Sequence, residues 1–106
     1  MLSGEKEDIV MRFRLTAKKK LSNVEFAEPV AVKAAGENGE FEAQALPFAR
    51  TQCNAFVTQW AEGMGMKVRT RKDWEKNLRT KNLESQVMMQ NGANSETYVF
   101  EIETIV

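Results

Sequence analysis

Seven basic side chains, Lys67, Arg69, Arg71, Lys72, Lys76, Arg79 and Lys81, fall within fifteen residues that carry only two acids, Asp73 and Glu75. Cations at this density are suited to phosphates, because each neutralises a backbone charge and releases condensed counterions. Trp74 lies among them, with Asn77 and Asn82 close by. An exposed indole can stack on an unpaired base, and amides can hydrogen-bond to base edges. If Trp74 instead anchors a short helix with most of its ring buried, binding falls to the phosphate contacts.

A second basic group, Arg12, Arg14, Lys18, Lys19 and Lys20, occupies the early chain. The formal charge of the whole chain is zero, yet it is segregated: −2 over residues 1–10, +5 over 11–20, −4 over 21–66, +5 over 67–81 and −4 over 82–106. Segregated charge usually serves a partner. Two basic segments on one face would steer a polyanion, whereas basic segments laid against acidic ones would describe internal compensation.

Other chemistry is limited by composition. The chain has no histidine and a single cysteine, so it cannot assemble a Ser-His-acid triad, a Cys-His pair or a paired-cysteine zinc site. Cys53 reads as a packed small hydrophobe, without neighbours that would favour a thiolate. Gly63-Met64-Gly65 lacks the rest of a dinucleotide fingerprint and reads as a helix stop. Glu101 and Glu103, two apart on a strand, share a face and could hold a divalent cation or act as a carboxylate pair. Solvated or salt-bridged carboxylates are the simpler reading. No cofactor and no metal is expected.

These side chains need elements to position them. In the first strand Met11, Phe13 and Leu15 alternate with Arg12, Arg14 and Thr16, placing both arginines on one sheet face. Val30 to Ala45 reads as a β-hairpin turning at Gly36-Glu37-Asn38-Gly39. A helix is expected over 47–62, where Ala49, Cys53, Phe56, Val57, Trp60, Ala61 and Met64 form one stripe after Pro47. Phe56, Val57 and Trp60 are its expected contact with the sheet. Met66, Val68 and Thr70 alternate with basic residues in a short strand. Thr70 to Asp73 then resembles a capping box, which predicts a short surface helix over 71–81.

A last hairpin turns at Asn91–Ser95, and its long second strand, ending in Ile102, Thr104 and Val106, should lie well inside the sheet. Pairing that strand antiparallel with the first would set Glu101 and Glu103 against Arg12 and Arg14. Phe13, Phe26, Phe41, Tyr98 and Phe100 would make a stacking platform if exposed. Their alternating settings favour core packing.

At 106 residues the expectation is one domain over 1–106, with 1–8 a candidate disordered N-terminal segment. The expected fold is α+β: a mainly antiparallel sheet packed by one long and one short helix. Without an apolar run or a signal-like start, the expected location is cytoplasmic, with no membrane association. The expected function is a non-enzymatic nucleic-acid-binding or nucleic-acid-associated accessory protein using its basic surface on DNA or RNA. The alternative is a protein-interaction or assembly module that recognises an acidic protein surface or forms a homo-oligomer. A small enzyme built on the carboxylates ranks third.

Overall fold

The computed structural model describes residues 10–105, and the candidate disordered segment 1–8 lies outside them. The fold is α+β: among the described residues seven strands form one antiparallel sheet, with one helix on one of its faces. The strands are β1 (Met11–Lys19), β2 (Val30–Ala31), β3 (Glu40–Ala43), β4 (Lys67–Arg71), β5 (Glu75–Lys76), β6 (Leu83–Asn91) and β7 (Asn94–Thr104); helix α1 is Leu46–Gly63. The order across the sheet is β2-β1-β7-β6-β4, with β3 also on β1 and β5 also on β6. The expected inner position of the last strand holds: β7 is central, bonded to β1 and β6.

Two expectations are corrected. Residues 30–45 do not form a hairpin, because β2 and β3 lie end to end along the same edge of β1. Thr16 and Ala17 pair with β2, and Met11 to Arg14 pair with β3. The glycine-rich segment does reverse the chain, with the Gly39 N–H donating to Gly36 at 2.8 Å. Nine residues of β1 offered a longer ladder than either short strand could give the other.

Nor is there a helix over 71–81. The chain leaves β4, makes the two-residue β5 and turns at 78–80, all along the outer edge of β6. Thr70 caps nothing and pairs with Met88. Trp74 and Leu78 gave that helix too thin a stripe to bury, and Leu78 remains 78% exposed. The open edge of β6 supplied backbone partners instead, including Lys72 N–H to Gln86 at 3.0 Å.

α1 begins with Pro47 in its first turn and ends before Gly65, whose φ of +75° is the left-handed position expected from the sequence. Its buried line is Ala49, Cys53, Val57 and Ala61, small residues four apart that let the helix lie close to the sheet. Phe56 and Trp60 flank that line rather than form it. Phe56 meets Phe41 edge-on at 5.2 Å, and Trp60 meets Tyr98 at 5.1 Å and Phe100 at 5.5 Å. Below them lie Phe13, Leu15, Val87, Met89, Phe100 and Ile102, all essentially sealed from water. Burial pushes the Cys53 thiol up to about 12, which keeps it protonated and unreactive.

Tyr98 is the chain's one tyrosine, and its hydroxyl donates to Glu96 at 2.7 Å. Burial, reinforced by that carboxylate, raises the phenol to about 12. A folded value above the ordinary one near 10 means a stabilisation complete below about pH 10 and lost as pH climbs towards 12. Titration of phenolate absorbance in the folded protein should give a midpoint near 12. A midpoint at the ordinary value, with the protein still folded, would show that the ring is hydrated.

Candidate nucleic-acid interface

Alternation sorts the basic residues before any contact is considered. With Phe13, Leu15 and Ala17 buried under α1, the register puts Arg12, Arg14 and Lys18 on the opposite sheet face. Among the described residues no second layer covers that face. Both arginines are engaged there by Glu40 across the β1–β3 ladder, Arg12 at 2.6 Å and Arg14 at 2.7 Å. Arg14 also reaches Glu103 at 3.2 Å, the one contact realised from the expected arginine–glutamate pairing with β7. The hydrogen bond from Arg14 holds the Glu40 carboxyl below the usual carboxylate range.

Lys19 lies 3.4 Å from Glu96, and the Lys18 ammonium sits 4.7 Å over the Phe26 ring. Most of this secondary basic group is therefore compensated within the fold. Lys20 is tied through its backbone, in a bridge with Phe26 and by its N–H to Thr97 at 2.8 Å.

The primary group is arranged differently. β4, β5 and the turn after them form the outer edge of the sheet, so residues 67–81 make one basic border. Lys67, Arg69, Arg71, Lys72, Lys76, Arg79 and Lys81 are all exposed, and none forms an ion pair with a described residue. Two strands separate this border from β1, a gap of roughly 14 Å at the usual strand spacing. The two basic segments do not merge, because Glu75, Glu84 and Glu101 stand opposite one another in successive strands between them.

Cations leave both faces of the border. Lys67 pairs with Gln90 on the uncovered side, and a register shift at Arg69 places it in the same shallow concavity as Lys67, Gln90 and Gly92. Arg71 pairs with buried Val87 and Lys76 with Leu83, which puts both on the helix side. Arg50 joins that side, lining a groove with Pro47, Thr51, Asn54, Asp73 and Trp74. The sequence reading missed Arg50. Its only signal was its place four residues before Asn54 on the shoulder of the helix.

Trp74 is half-buried, and its indole N–H donates to Asn54 Oδ1 at 2.9 Å, clamping the ring between α1 and the border. The two asparagines have structural roles. Asn77 Nδ2 donates to Glu84 at 3.1 Å, while its Oδ1 accepts the Arg79 and Thr80 N–H groups at 2.8 and 3.2 Å. Asn82 Nδ2 donates to Glu101 at 2.8 Å. These bonds hold the 77–82 turn, in which Lys81 takes a positive φ of 70°. The expected base-directed amides are thus occupied, and Glu101 and Glu103 are each bonded to a different partner.

Among the described residues no group of three potential ligands is placed to hold a metal ion, and no helix is long and apolar enough to cross a membrane. The interface can thus offer charge along a line and little else. No protein family, no curated protein and no solved structure matches this chain.

Proposed function

We propose that this protein is a non-enzymatic nucleic-acid-binding accessory protein whose contact surface is the border 67–81. The carrying observation is that seven exposed cations there have no ionic partner among the described residues, whereas Arg12, Arg14 and Lys19 have theirs. Like charges in one border repel each other without internal return, and a polyanion supplies the missing counter-charge. The same border is poorly suited to pairing with another strand edge. Its basic side chains and the irregularity at Arg69 are features that discourage edge-to-edge association.

Fluorescence anisotropy with short labelled DNA and RNA, between about 50 and 200 mM salt, tests the reading. Binding should weaken with salt along a log–log line, by about 0.7 per phosphate for single strands and about 0.9 for B-DNA. Replacing Arg69 and Arg71 together with Gln should lower the slope by up to about two phosphate equivalents. A dissociation constant weaker than about 100 μM for every probe at the low-salt end would remove this function from consideration.

A further inference from the structure

We infer that the nucleic acid taken by this border is a duplex, gripped through the two phosphate rows flanking one groove over about two-thirds of a helical turn. The inference rests on the function proposed above and adds the class of ligand. Lys67 and Arg69 leave the uncovered side of the border, while Arg71 and Lys76 leave the helix side with Arg50 behind them. A two-sided ridge can neutralise two phosphate rows at once. A duplex groove presents two such rows, and a single strand presents one.

The surfaces that a single strand would need are scattered or turned away. Base stacking requires exposed aromatic faces. Phe13, Phe41, Tyr98 and Phe100 are buried and Trp74 is held by Asn54, while Phe26, expected in the core, and Phe48 are exposed on separate elements, Phe26 beneath Lys18 and Phe48 in the first turn of α1, and make no continuous platform. On the uncovered sheet face Glu84 and Glu101 lie between the border and the β1 arginines, which Glu40 and Glu103 already hold, so a strand leading across from the border would meet like charge first. The amides of Asn77 and Asn82 are engaged by Glu84 and Glu101. What remains is charge without base readout, and charge alone favours the ligand with the denser phosphates. Duplex DNA carries one charge per roughly 1.7 Å of its axis.

Length sets the footprint. Lys67 and Lys76 pair with Gln90 and Leu83, seven strand steps apart on β6, so the border covers about 24 Å, which matches about seven base pairs at roughly 3.4 Å each.

The test uses the full chain with labelled DNA and RNA duplexes of about 6, 12 and 24 base pairs and single strands of the same lengths, at low salt. Duplexes should bind at least about tenfold tighter than single strands, with the main gain between the two shorter lengths. The pairs Lys67→Gln with Arg69→Gln, and Arg71→Gln with Lys76→Gln, should each reduce the duplex salt slope by about 1.8, with unchanged circular dichroism. Equal or tighter binding of single strands would overturn the inference while leaving the proposed function standing. So would a slope that responds to only one pair, or a loss on Trp74→Leu confined to single strands. Absence of binding to every probe would overturn both.

Discussion

Replacing Phe100 with alanine should destabilise the protein by about 3 to 5 kcal/mol, read as a fall in the urea midpoint at unchanged slope. The ring is fully buried in the central strand and meets Trp60 edge-on at 5.5 Å. Its cross-strand neighbours are Ala17 on one side and Ser85 on the other. Neither is large enough to swing into the space left behind, so the cavity persists and adds to the lost transfer energy. The Ser85 hydroxyl is fixed besides, donating to the Lys72 carbonyl at 2.6 Å. A loss below about 1 kcal/mol would mean that the helix settles into the gap, and that the small-residue line of α1 is not a fixed seat.

Gly39→Val should cost about 2 to 4 kcal/mol, combining backbone strain with a steric clash. Gly39 has a φ of +75°, and a Cβ there would lie 2.5 Å from the Leu15 carbonyl oxygen. The residue cannot step aside easily, since its own carbonyl accepts the Leu15 N–H at 2.8 Å. It sits where β3 takes over from β2 along the edge of β1, so yielding there would detach one of them. Gly63→Ala is the matched comparison: a Cβ at Gly63 meets nothing within 4 Å, at the end of a helix that prefers alanine. Thermal unfolding should separate the two variants by several degrees. If both melt alike, the junction is looser than the distances imply.

The helix and the final hairpin were readable because their signals are local. Seven apolar residues at helical spacing, with Pro47 and Gly65 at the ends, leave few alternatives for 46–63. Alternation through Tyr98, Phe100 and Ile102 fixed both the strand and its buried face. The failures share one cause, which is that a partner far along the chain decided the outcome. The turn at Gly36–Gly39 is real, but nothing in residues 30–45 reveals that both arms prefer β1 to each other.

Segment 71–81 has weak preferences of its own and took the conformation that the β6 edge rewarded. The candidate interface shows the same division. Clustered charge at 67–81 is visible from residue types alone. That Glu40 occupies Arg12 and Arg14, or that Glu75, Glu84 and Glu101 form a row, depends on register between strands up to 89 residues apart, as for Arg14 and Glu103.

The central place of β7 also orders events during synthesis. β1 is made before the other described strands, but its long partner on that side, paired from Phe13↔Thr104 to Lys19↔Tyr98, emerges after all of them. Until then β1 has only the short β2 and β3, and β6 has only its border strands. Closing so wide a loop late makes the ladder non-local, which slows folding. The nascent chain must therefore carry Phe13, Leu15 and the apolar face of α1 incompletely covered until β7 emerges, an interval in which chaperone binding or aggregation competes with the native sheet.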